Sequence, residues 1–295
     1  MVDVSRNTAG IELTPEQSQE IWSAAEYSSA VMQLATPTYL PGSGVSVPII
    51  TGEPEAQWVD ETDEKPVSRP TFGDKIMTPY TAAVIVPFSN QFRRDKARLY
   101  QEIVRKLPQA LAKRFDQTVF GPQSGAPGSN FDTLGDAPET DLGPNIYQGL
   151  VDADISVAEN DGVLNGWALS PAARGLLLGA TDNNGRPLFI NSAAEGAVPR
   201  LLGSSTAITR GLDAIAGTVG FAGDWTSAHY GIVENIDLSI SDQATINDGG
   251  TQLNLWQRNM FAVRAEFEVG FRVRDVDHFT RLINEGAPVD EGSGE

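Results

Sequence analysis

A chain of 295 residues, 40% of them hydrophobic, is long enough to bury one large core or two modest ones. Its net charge of −18 disfavours nucleic-acid or membrane-surface binding by the body as a whole and leaves such contacts to a local basic face. No stretch approaches the roughly 18 apolar residues that cross a bilayer; the start MVDVSRNTAG lacks a secretion-signal pattern; zero cysteines exclude disulfides and thiolate metal sites and fit a soluble, cytosolic product.

In chain order, Thr14-Pro15-Glu16-Gln17 combines a Thr cap, Pro at the first helical position and Gln three residues after the cap, which predicts a helix to Met32. Ile21, Trp22, Ala25 and Val31 give that helix only a sparse apolar face, so it is expected to pack on something else. TPTYLPGSG then breaks it. Val45, Val47 and Ile49 alternate as a strand, and TAAVIVPFS at 81–89 reads as another. The segment between them has few apolar anchors, Trp58 and Phe72, and six acids crowd Glu53 to Glu64. Polar segments of this length are functional or disordered; this one is expected to form an extended two-stranded arm that cannot bury itself.

The strongest signal follows. Leu99, Ile103, Leu107, Leu111, Phe115 and Val119 recur every fourth residue, one apolar stripe on a long helix from Arg93 to Phe120, with a kink or break expected at Pro108. Eight of the 21 Lys and Arg residues lie between Arg93 and Arg114 against only Asp95 and Glu102, so the rest of the chain carries −24. A cationic rod in so acidic a chain is either a solvated helix face or one half of a contact with an anionic partner. A Gly/Pro-rich link over 121–144 marks a boundary. Asn145 to Glu159 reads as a helix, Trp167-Ala168-Leu169 as a buried strand, Ser170-Pro171 as the cap of a helix through Leu178, and DNNG at 182–185 as a tight turn. Ile236, Leu238 and Ile240 alternate. Phe261 to Val273 alternates without a break against Arg264, Glu266, Glu268, Arg272 and Arg274, an antiparallel strand of about fourteen residues where about five or six are usual. GAPVDEGSGE ends the chain with a disordered composition.

Enzyme signatures fail. There are two histidines, His229 and His278, and no HExxH, CxxC, GxSxG, GxGxxG or GxxxxGK[ST]. The pairs Asp60-Glu61 and Asp63-Glu64, in a loop with no pocket pattern, read as solvated charge rather than acid/base machinery. No enzyme, cofactor or metal site is expected.

The order of parts nevertheless resembles the HK97-like fold of tailed-bacteriophage major capsid proteins. The resemblance rests on WVDETDEKPVSRPTF, KLPQALAKRFDQTVFGPQSGAPG, WALSPAARGLLLGATDNNGRPLF, LLGSS, FAGDWTSAHYGIVENIDLSI and QRNMFAVRAEFEVGFRVRDVDHFTRL, within an order of parts that spans most of the chain, from about residue 14 to 283. It implies an α+β fold: an N-arm (1–44), an extended two-stranded E-loop with flanking strands (45–88), a P-domain with a long spine helix and linker (89–144), a compact α/β A-domain (145–228), a P-domain sheet (229–268), and a return into the A-domain with the tail (269–295). It implies a shell subunit of the virion, self-assembling in the bacterial host cytoplasm as hexamers and pentamers of an icosahedral head around double-stranded DNA, without a membrane.

An arm and loop with no hydrophobic home of their own gain order only against neighbouring subunits. The acids Glu53, Glu55, Asp60, Glu61, Asp63 and Glu64 and the bases Arg93, Arg94, Arg98, Arg105, Lys106, Lys113 and Arg114 are therefore the candidate halves of an inter-subunit contact; the rival is a basic face turned toward packaged DNA. In the family's type member a loop lysine joins an asparagine of another subunit in an isopeptide bond, with a glutamate as base, and Lys65, Asn259 and Glu266 match those positions. Against that, Lys65 can answer the adjacent acids and Glu266 can pair across the sheet. Only forty-four residues precede Val45, so a separate scaffolding protein is expected, with portal and decoration proteins as further partners. The alternatives are an encapsulin-like nanocompartment shell of the same fold and, more remotely, a soluble carboxylate-dependent hydrolase.

Overall fold

The computed structural model describes residues 29–52, 56–59, 61, 64–65, 67–69, 71–95, 97–180 and 200–284. The first 28 residues, the DNNG turn and the tail lie outside them. Helix α1, Ala30–Leu34, is followed by β1 (Thr36–Tyr39), β2 (Val45–Gly52), β3 (Thr71–Met77), β4 (Tyr80–Ser89), α2 (Asn90–Asp95) and α3 (Ala97–Val119). Next come β5 (Glu139–Asp141), α4 (Ile146–Glu159), β6 (Gly166–Leu169), α5 (Pro171–Gly179), β7 (Ser205–Ile208) and β8 (Thr218–Gly223). Strands β9 (Ala228–Ser241), β10 (Thr245–Asp248), β11 (Thr251–Asn254), β12 (Met260–Val273) and β13 (Phe279–Ile283) complete the described chain.

Two sheets share the core. In the first the order is β1-β9-β12-β4, with β12 antiparallel to both neighbours and β1 parallel to β9. Every second residue of β12 from Phe261 to Val273 is buried, as its alternation predicts. Leu107, Leu111, Phe115 and Val119 of α3 are buried in the same core, where Phe115 meets Phe131, Phe267 and Phe271 edge-on at 6.3–6.4 Å. The second sheet, β5-β13-β8-β6-β7, meets the end of α3 through the stacked rings of Phe120 and Phe221, 5.1 Å apart, and meets the turn before β9 through Phe279 against Trp225. Asn145 and Ser170 cap α4 and α5 by accepting from Gln148 N and Ala173 N. The link over 121–144 carries β5 into this second sheet, and β12 stays in the first sheet to its end, so the chain returns to the second at β13.

Three expectations are corrected. The helix predicted from Thr14 to Met32 does not run unbroken: Ser29 is extended (φ −85°, ψ 126°) and its hydroxyl caps a new helix at Met32 N. Strand β1 forms inside the stretch read only as a helix breaker. The long helix is continuous through Pro108 and is not broken into two there.

The capped start of α1 is held by Asp116, a carboxylate of α3 that is 1% exposed. It accepts from Ser29 Oγ at 2.5 Å, Ala30 N at 2.9 Å, Val31 N at 3.4 Å and Thr209 Oγ1 at 2.9 Å. One side chain thus ties the N-terminal segment, α3 and the loop after β7. Burial pushes the Asp116 carboxyl above the ordinary value of 3.8, and the four donated hydrogen bonds oppose that rise. Close packing is also enforced where the β3–β4 corner crosses β12: a Cβ on Gly270 would meet Met77 Cγ at 2.8 Å and Thr78 O at 2.9 Å.

Asp116→Ala strands four buried donors and is expected to cost about 2–4 kcal/mol of subunit stability, read by denaturant unfolding. A raised native pKa means the native state binds the extra proton, so stability is fullest below 3.8 and falls as pH rises through the raised value. Wild type should therefore lose stability relative to Asp116→Asn over the weakly acidic range above 3.8, and a pH-independent difference would refute this. Gly270→Ala should cost about 1–3 kcal/mol by overpacking against backbone, read by the same unfolding curve.

Candidate functional site

Strands β2 and β3 pair antiparallel from Val45↔Met77 to Gly52↔Thr71, an extended hairpin whose root is fixed to the body. Lys75 donates to Val273 O at 2.8 Å and lies 3.5 Å from Asp132, and Arg272 reaches Asp132 at 2.6 Å, Ile76 O at 2.7 Å and Asn130 at 2.9 Å. Asp132 also accepts from Val273 N at 3.0 Å. Because Arg272 is a planar fork with several donors, it clamps hairpin, link and strand at once. Beyond the root, the described loop residues 56–59, 61, 64–65 and 67–69 are all exposed, and Trp58 is fully so.

The candidate contact residues divide sharply. Glu53, Glu55, Asp60 and Asp63 lie outside the described residues, whereas Glu61, Glu64 and Lys65 are exposed on the loop. Arg105, Lys106, Lys113 and Arg114 are exposed on α3; at about 100° per residue Lys106 and Lys113 point directly away from the buried stripe. Arg94 and Arg98 belong to α2 and α3, but their side chains are outside what is described. Arg93 departs from expectation. It is half-buried with its guanidinium 4.8 Å over the Phe261 ring and bonded to Tyr100, whose hydroxyl burial pushes up while Arg93 draws it back. It packs within its own chain rather than joining the outer basic face. Among the described residues no ion pair joins Glu61 or Glu64 to Arg105, Lys106 or Arg114.

The three cross-link candidates are not brought together within one chain. Asn259, at φ 53°, precedes β12, accepts from Asn90 Nδ2 on its Oδ1 at 3.1 Å and from Asn90 N on its carbonyl at 3.0 Å. Glu266 lies seven residues further, about 23 Å at the rise of a strand, and pairs with Arg264 at 2.9 Å. Sequence reasoning missed Asp116, Lys75, Asp132 and Arg272 as joints. The one available signal was Arg272 itself, a charged side chain on the polar face of β12.

At the hairpin root Lys75, Asp132, Asp136 and Asp275 line a polar cavity of about 400 Å³. Among the described residues no group of three or more His, Cys, Asp or Glu side chains is placed to hold a metal. Apart from that cavity, what the arrangement offers is surface: an exposed acidic loop on a fixed root, and a separate exposed basic helix face.

The sequence profile of the Phage capsid family matches residues 9–282. A protein described as the probable major capsid protein gp17 of Mycobacterium phage D29 is 31% identical over 96% of this chain and 92% of its own length. Its counterpart in Mycobacterium phage L5 is 32% identical over 92% and 89%. The same fold appears in solved structures from Gordonia phage Cozz (TM-score 0.73, 24% identity, 88% of this chain and 87% of that one) and Mycobacterium phage Adephagia (TM-score 0.72, 22% identity, 97% and 100%). Built on the HK97-like α+β fold, with a family match over nearly all of its length, the chain belongs to the phage capsid family and is a major capsid protein of the tailed-phage type, a structural component of the virion.

Proposed function

We propose that copies of this chain associate as hexamers and pentamers into an icosahedral head around double-stranded DNA, assembled in the host cytoplasm with a separate scaffolding protein, a portal and a decoration protein. In this reading α3 with the first sheet is the peripheral unit, the second sheet with α4 and α5 the axial unit, and the β2–β3 hairpin the loop that reaches a neighbour. One observation carries the contact. The exposed acids of the loop and the exposed bases Arg105, Lys106, Lys113 and Arg114 belong to one chain, yet Glu61 and Glu64 form no ion pair with Arg105, Lys106 or Arg114. Such complementary faces on separate copies set register and speed encounter more than they tighten it.

Arg105→Glu combined with Lys106→Glu should lower particle yield by about tenfold at low salt and flatten its salt dependence, measured by sedimentation and negative-stain microscopy. Unchanged yield and unchanged salt sensitivity would refute the contact; normal shells that fail to fill with DNA would assign the face to the interior instead. The Asn90–Asn259 bond and the Arg264–Glu266 pair favour structural roles for Asn259 and Glu266. Particles boiled in SDS should accordingly migrate as the 31.6 kDa monomer, whereas a ladder of covalent oligomers would establish cross-linking and return Lys65, Asn259 and Glu266 as its candidates.

A further inference from the structure

Strand β4 is the outer strand of its sheet and, among the described residues, pairs only with β12. Its ten residues, YTAAVIVPFS, include no charged side chain. Long uncharged edges are templates for another chain, and proteins that leave them in water usually guard them with lysine. Beside this edge, between β4 and α3, runs a groove of about 420 Å³. Ala82, Val84, Leu111, Phe115, Phe131 and Phe267 line it, and Arg114 borders it. Ala110 of α3 also lines it, so both walls carry an alanine where a larger side chain would have filled the space.

The same chain carries an aromatic with no place in its own body. Trp58 is fully exposed, and Gln57 and Val59 beside it are exposed too. Tryptophan offers about 150–250 Å² to bury, and it is enriched among the few side chains that dominate interfaces when seated in a dry pocket. The acids Asp60 and Glu61 follow it by two and three residues, within about 10 Å along an extended chain, which suits a pocket bordered by Arg114.

We propose that Trp58 of a second copy of this chain seats in the groove between β4 and α3, with residues 56–59 laid along the open edge of β4. This rests on the reading that the loop reaches a neighbour, and it names the residue and the pocket. The apolar insertion fixes position, and the acids beside Trp58 meet the basic border.

The test places a photo-reactive aromatic of similar size at the same position, Trp58→p-benzoylphenylalanine, in particles assembled from isotopically mixed full-length chains. Irradiation should join position 58 of one copy to residues 80–84 or 110–118 of another, and hydroxyl-radical oxidation of wild-type Trp58 should fall by about tenfold on assembly. Cross-links confined to other segments, or equal oxidation before and after assembly, would overturn the proposal. If the photo-reactive variant does not assemble, Ala110→Trp decides: a groove filled from its own side should block assembly or leave Trp58 as reactive as in free subunits, and particles with Trp58 still protected would overturn the assignment. Groove cross-links beside an inert charge reversal would discard the ionic contact and keep the groove; absence of both would discard both.

Discussion

A single buried carboxylate organises the body. Asp116 gathers two backbone amides and two hydroxyls contributed by segments 85 and more residues away in sequence, and so makes the start of the described chain, the long helix and the loop after β7 one unit. Burying a charge is costly unless hydrogen bonds surround it. Here they do, and each donor is itself positioned: Ser29 accepts from Met32 N, and Thr209 accepts from Gly211 N. The geometry specifies one arrangement of three segments that hydrophobic packing alone would leave free to slide.

Against this self-sufficient body stands a hairpin that satisfies only its root. Within one chain Lys75, Asp132 and Arg272 complete one another, while Trp58, Val67, Glu61 and Glu64 face water. An isolated subunit gains little from holding such a loop extended; the gain arises where a neighbour removes its apolar surface from solvent. A shell built this way draws stability from contacts that do not exist until copies meet, which suits a component that must remain soluble before it closes.

Much of the architecture was legible in the chain because period and burial coincide. The fourfold stripe Leu107, Leu111, Phe115, Val119 and the twofold alternation of β12 each face a continuous core, and Asn145 and Ser170 cap where their neighbours say they should. What escaped depends on distant partners. Asp116 lies in FDQTVF with nothing local to mark it, and its role appears only when Ser29 and Thr209 arrive. Arg93 counted as surface charge in a basic run, but the Phe261 ring beneath it turned it inward. Strand β1 is four residues with two threonines and a proline, too short for alternation to register, and exists because β9 offers it an edge. The Lys75–Asp132–Arg272 joint combines residues from three remote segments, one of them in a Gly/Pro-rich link with no pattern of its own.

The rooted hairpin acts as a lever. Its eight-residue strand spans about 26 Å at the usual rise, so a tilt of about ten degrees at the clamp sweeps the far end by about 4–5 Å, close to one strand spacing. In the proposed head identical subunits would meet five neighbours at some vertices and six elsewhere, and small angular play at three side chains would give the fingertip enough travel to find the same landing place in both surroundings. Curvature of the whole container can thus be absorbed at its thinnest parts while the cores remain rigid.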